Sequence, residues 1–110
     1  MRLIRWNQAT APSVETLREA LVGEGFWISE WLDPAGTIYP VHAHEYPEAR
    51  VVVRGYLRVG LPDSGEEFVL GPGDRLDLPA NTPHWADVNA KESVVYLSAA
   101  KNGRNGCKVR

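Results

Sequence analysis

The stretch Thr37-Ile38-Tyr39-Pro40-Val41-His42-Ala43-His44-Glu45-Tyr46-Pro47-Glu48 holds two of the three histidines in the chain, at alternate positions, with a glutamate four residues after the second. Up to His44 the stretch is dense in β-favouring residues, and alternate side chains of an extended segment point to the same side. Both imidazoles therefore face one spot. The proline of Glu45-Tyr46-Pro47 restricts the residue before it to extended or turn conformations, so a change of direction there can carry Glu48 to a third corner. The remaining histidine, His84, follows the turn-rich Pro79-Ala80-Asn81-Thr82-Pro83 and opens another β-like run, from which it can return to the same place on a different strand. Imidazole is the commonest metal-ligating side chain, and these residues together make a mixed nitrogen and oxygen donor set.

Outward from this stretch the chain is organised around short strands. Thr10-Ala11-Pro12-Ser13 offers capping side chains and a first-turn proline. Val14, Leu17 and Leu21 then recur at helical spacing until Gly23 and Gly25, which predicts one short helix over about residues 13–22. Phe26 to Leu32 is aromatic and β-branched and ends at Asp33-Pro34-Ala35-Gly36. Strand candidates follow at Arg50 to Leu61, Glu66 to Leu70, Arg75 to Leu78, His84 to Val88 and Ser93 to Ala99, separated by Gly, Pro, Asp and Ser turns. That spacing is expected of an all-β barrel. The expected organisation is one domain: residues 1–25 an N-terminal segment with the helix, 26–100 the barrel, and 101–110 a mobile tail.

Composition narrows the function classes. The length of 110 residues suits a single core. Twelve Lys and Arg against fourteen Asp and Glu give a formal charge of −2, which provides no basic field for nucleic acid or anionic lipid. No apolar stretch approaches the roughly 20 residues a membrane helix needs, and Met1-Arg2-Leu3-Ile4-Arg5-Trp6 lacks the apolar run of a signal peptide. A cytoplasmic location is expected. The single Cys107 lies in a polar setting and reads as a plain exposed thiol.

A His-X-His pair alone is more often structural than metal-binding, but here the match is not lone. From Gly36 the chain reads Gly, five residues, His42, one residue, His44, three residues, Glu48, six residues, Gly55, which resembles the first cupin motif position for position. From Gly73 it reads Gly, five residues, Pro79, one residue, Asn81, two residues, His84, which resembles the second cupin motif with asparagine in place of its central glycine. Asparagine also tolerates the left-handed backbone such a turn uses. The closing asparagine of that motif is expected on Val88, and Asn89 stands one place late.

The resemblance spans Gly36 to Asn89, about half the chain, and implies a double-stranded β-helix, a jelly-roll barrel, with a metal near its centre. Carried over residue by residue, His42, His44, Glu48 and His84 would be the ligands of one divalent transition metal ion: iron, manganese, nickel, copper, cobalt or zinc. The favoured expectation is a dioxygenase-like metal enzyme acting on a small molecule inside the barrel, an anion among the candidates, with Glu48 able to act as a base as the resemblance to other cupins allows. A non-catalytic sensor or metal-binding protein, or an isomerase or cyclase, are the alternatives, because the family spans all of these. Cupins often form dimers, so a homodimer is expected.

Two further residues are candidates for contact with substrate. If Glu48 points inward, alternation sends Arg50 and Val52 inward and Ala49, Val51 and Val53 outward. An inward Arg50 would bind an anionic substrate or offset a nearby acid; a register slip at Pro47 would instead turn it to solvent or a subunit contact. Tyr46, between His44 and Glu48, is placed to gate the barrel mouth. Tyr39, Trp27, Trp31 and Trp85 read as core or interface aromatics. Trp85 is expected on the face opposite His84, and Arg75 and Asp77 on the polar face of their strand.

Overall fold

The computed structural model describes residues 1–101. The helix forms where the capping signals place it, at Val14–Gly23 (α1), with the Ser13 side chain accepting from the Thr16 backbone N–H and Glu24 and Gly25 N–H groups closing the other end on Leu21 and Val22. Nine strands accompany it among the described residues: β1 (Arg2–Ile4), β2 (Trp27–Asp33), β3 (Ile38–His42), β4 (Glu48–Arg54), β5 (Leu57–Leu61), β6 (Glu66–Leu70), β7 (Arg75–Leu78), β8 (His84–Val88) and β9 (Val94–Ala100). Two antiparallel sheets, ordered β1-β7-β4-β9-β2 and β3-β8-β5-β6, face one another as a jelly-roll barrel. The long valine-rich run of the sequence divides at Gly55, whose φ of +84° suits glycine; a Cβ there would lie 2.5 Å from the Ser93 carbonyl oxygen.

Alternation along β4 sorts the two hydrophobic clusters. Val52 joins Leu57, Val59, Leu76, Leu78 and Val94 in the barrel interior. On the other face Ala49 and Val51, with Leu97 and Ala99 of β9, pack against Leu17 and Leu21 of the helix. Full burial of each leucine contributes about 1.5–3 kcal/mol, which is what seats α1 on the outside of the five-stranded sheet. Trp85 lies on the outer face of β8, half-buried, with the Arg58 guanidinium over its ring at 5.0 Å and Gly60 beneath it. Arg75 bonds Glu24 and Asp77, tying β7 to the end of the helix.

The expected tail begins with Lys101, whose backbone N–H donates to Pro47 O at 3.0 Å; residues 102–110, Cys107 among them, lie outside the described residues. Among the described residues, no helix is long and apolar enough to cross a membrane.

Candidate metal centre

The two sheets bring the three histidines to one end of the barrel interior. His42 closes β3 and His84 opens β8, directly opposite it in register, with ring centroids 4.3 Å apart. His44 lies two residues beyond the end of β3, so it is held by the connecting segment and not by the sheet. Its position is fixed from the second motif: Asn81, at φ +62°, donates its backbone N–H to His44 O at 2.7 Å. The left-handed turn at Asn81 thus joins the two histidine-bearing segments. One donor atom from each of His42, His44 and His84 lies within 4.8 Å of the others.

Hydrogen bonds assign the tautomers. His42 Nδ1 lies 2.8 Å from Pro40 O and His84 Nδ1 2.9 Å from Thr82 O. His44 Nδ1 is 2.7 Å from Glu48 Oε2. Carbonyl and carboxylate oxygens only accept, so each Nδ1 carries a proton, and in the neutral ring this tautomer presents the Nε2 lone pair. His84 Nε2 is buried and has no hydrogen-bond partner. A lone pair buried without a donor is costly, and a cation between the rings would satisfy it. Burial also pushes the His84 imidazolium pKa down, against the opposing effects of Thr82 O and Glu48, which keeps the ring neutral and able to ligate. The residues present therefore fit a divalent transition metal ion.

Glu48 and Arg50 enter from β4 in the opposite sheet, and both are buried, at 4% and 8% exposure. Arg50 faces inward, as alternation from Glu48 requires, and its Nη2 meets Glu48 Oε1 at 2.7 Å. Burial pushes the Glu48 carboxyl up, but Arg50 and then His44 outweigh it and hold the group below the usual carboxylate range. Glu48 Oε2 is 4.0 Å from His84 Nε2, and the glutamate stands beside the three-histidine cluster, backing His44. Tyr46 is half-buried and stacks on His44, centroids 5.2 Å apart and planes 18° from parallel. It braces that ring and does not line the cavity.

The cavity beside the histidines has a volume of about 30 Å³, room for roughly two waters, and is walled by His42, His84, Arg50 and apolar side chains with Tyr39 and Tyr96. The last two belong to a buried cluster that no local sequence pattern marks. Tyr39 and Tyr96 hydroxyls both donate to Asp33 Oδ2, at 2.9 and 2.8 Å. Asp33 is 5% exposed, and burial together with this carboxyl pushes the Tyr96 phenol far above its ordinary value. In sequence Asp33 opens a Pro-Ala-Gly turn, and no local pattern marks it as inward.

Residues 29–100 match the Cupin domain family. This chain belongs to the cupin family. Among curated relatives it is similar to the acireductone dioxygenase of Alcanivorax borkumensis, with 33% identity over 63 residues; the match covers 56% of this cupin and 35% of that enzyme. Among solved structures it is similar to the polyketide cyclase RemF from Streptomyces resistomycificus, at 27% identity and a TM-score of 0.63, over 68% of this chain and 53% of that one. A cupin-2 domain protein of Shewanella frigidimarina shares the fold at 18% identity and a TM-score of 0.54, over 66% and 68% of the two chains. This cupin thus spans about a third of the dioxygenase and about half of the cyclase.

Proposed function

We propose that this cupin is a metal-dependent enzyme of dioxygenase type, acting on a small anionic molecule at the inner end of the barrel. The observation that carries the reading is the set of three imidazoles whose Nδ1 protons are each committed to an oxygen, with the buried Nε2 of His84 left unpartnered. His42, His44 and His84 would hold the ion, with Glu48 at their side. When bound, such an ion supplies Lewis acidity and, if redox-active, electrons for chemistry with dioxygen.

The chain's own side chains do the rest. Pro40 O, Thr82 O and Glu48 fix the three rings, and Tyr46 braces His44 from outside. Leu57, Val59, Leu78 and Ala86 line the cavity and exclude bulk water. The cavity volume restricts what enters to a small molecule or the small reacting end of a larger one. His44 on Oε2 and Arg50 on Oε1 both lower the basicity of Glu48, so general-base action by Glu48 is favoured when one of these contacts opens. The similarity to an acireductone dioxygenase supports the oxidative version; the similarity to a polyketide cyclase supports a cyclase or isomerase as the second reading.

A homodimer is part of the proposal. The edge strands β2 and β3 expose Trp27, Leu32, Ile38 and Val41, an apolar margin suited to a second copy. The test of function is oxygen uptake and product formation on a panel of small carboxylic acids and diketones, with His42→Ala as control. Oxygen consumption lost in the control supports the enzyme; binding of those compounds without turnover would replace it with a binding protein.

A further inference from the structure

The cavity has a second polar layer, deeper in the barrel than the histidines. Tyr39 pairs with Ala86 on β8, two residues on from His84, and Tyr96 pairs with Val52 on β4, four residues on from Glu48. At the usual strand rise these levels lie about 7 and about 13 Å from the histidine end. Both tyrosines line the cavity, and both hydroxyls donate to Asp33 Oδ2, at 2.9 and 2.8 Å. Asp33 is buried and, among the described residues, forms no ion pair, so the two phenols are what satisfies a carboxyl taken out of water.

A phenol has one proton to donate and lone pairs with which to accept. Here each proton is committed to Asp33. Burial, and after it the Asp33 carboxyl, push the Tyr96 phenol far above its ordinary value, so that proton stays in place at neutral pH. What these two residues can offer an occupant of the cavity is therefore an oxygen that accepts. The histidine end has the opposite character, because the Arg50 guanidinium in its wall carries donors only.

We propose that Asp33, Tyr39 and Tyr96 are the specificity element of this cavity: Asp33 holds both hydroxyl protons, and the phenol oxygens select a small acid that carries a hydrogen-bond donor, a hydroxyl or an ammonium, at the end away from its carboxylate. The proposal deepens the functional reading above and rests on it, since it assigns the far end of the same small anionic ligand. Asp33 acts as a positioning residue, and Tyr39 and Tyr96 are the groups that meet the ligand. A donor that reaches them completes a hydrogen bond, whereas an apolar or fluorinated end of similar size leaves the lone pairs unmet. That difference amounts to a factor of about three to ten in affinity.

The test is isothermal titration of the full chain, loaded with Zn(II), with propionate, 3-fluoropropionate and 3-hydroxypropionate, of which only the last has a donor at its far end. The hydroxy acid is expected to bind about three- to tenfold more tightly than the other two. The preference should disappear in Tyr96→Phe, in Tyr39→Phe or in both, while propionate binds as it does to the wild type. The hydroxyl can also chelate the ion, but a preference due to chelation would survive in both variants. A wild type that binds the three acids equally, or a preference retained in full by both variants, would overturn the proposal and leave the metal-dependent reading standing. Equal weakening of all three acids in the variants would make the cluster structural and overturn it too. Should Tyr96→Phe not fold, Tyr39→Phe decides by itself. Wild-type protein that binds none of the acids more tightly than His84→Ala does would overturn the functional reading and this proposal with it.

Discussion

Tyr96→Phe removes one hydroxyl from the barrel wall and changes almost nothing else in shape. Tyr96 is 3% exposed, and its hydroxyl donates to Asp33 Oδ2 at 2.8 Å, beside the Tyr39 hydroxyl at 2.9 Å on the same oxygen. Hydrogen bonds to a charged group contribute about 1.5–3 kcal/mol each, so the single variant should lose about that much. For a domain of this size the melting temperature should fall by about 6–15 °C. Tyr39→Phe should behave similarly but more mildly, since that side chain is only half-buried. Each single variant leaves Asp33 with one donor, whereas the double variant leaves a 5%-exposed carboxyl with neither. The double loss should therefore exceed the sum of the singles by about 1 kcal/mol or more. Urea unfolding of the metal-free chain, with the slope checked for constancy, measures all three. Single losses under about 0.5 kcal/mol that add strictly would show that the two hydroxyls do not share the buried carboxyl, because groups so bonded cannot be removed at so little cost.

Acidification should destabilise the metal-free protein in two stages. The folded pKa of His84 is depressed, so the unfolded chain takes that proton first and stability falls as pH drops below about 6.5. The folded pKa of Glu48 is also depressed, so its contribution is present above about 4.5 and is lost below it. Each group changes stability by at most about 1.4 kcal/mol per pH unit, and unfolding free energies measured from pH 8 to pH 3 should lose the second stage in Glu48→Gln. Gly60→Ala should destabilise by about 1–3 kcal/mol, because its Cβ would stand 2.0 Å from the Trp85 indole and must push that ring off the strand; tryptophan fluorescence should shift with the melting point. Tyr46→Ala should leave the fold in place and weaken metal binding by about tenfold, as a ring that braces a ligand is lost; isothermal titration with Co(II) or Zn(II) measures it.

The fold and the three histidines were legible because both depend on short-range spacing. The turn-to-turn intervals produced β2, β3, β6, β7, β8 and β9 to within a residue or two, the single candidate from Arg50 to Leu61 divided into β4 and β5, and Ser13 and Gly23 bracketed the helix. Alternation from an inward Glu48 offered Arg50 an inward place, with a slip at Pro47 as the rival, and turned Val51 to the other face; the packing has Arg50 inside and Val51 against the helix, because β4 runs without interruption from Glu48 to Val52. What escaped depends on partners far along the chain. β1 is three residues long and exists through its pairing with β7. The Asp33 cluster joins positions 63 residues apart, which no local period signals. The state of Glu48 was likewise hidden: the motif fixes its spacing from the histidines, while its hydrogen bond to His44 and its pairing with Arg50 emerge only from side-chain geometry.

Metal analysis of the chain purified from its own host, set beside His42→Ala and His84→Ala prepared identically, shows whether the three imidazoles hold an ion. About one equivalent of a divalent transition metal per wild-type chain is expected, with loss of that metal in both variants and the fold retained by circular dichroism. Metal bound equally by the wild type and both variants, or a wild type that takes up none when dialysed against iron, manganese, nickel, copper, cobalt or zinc, would contradict it.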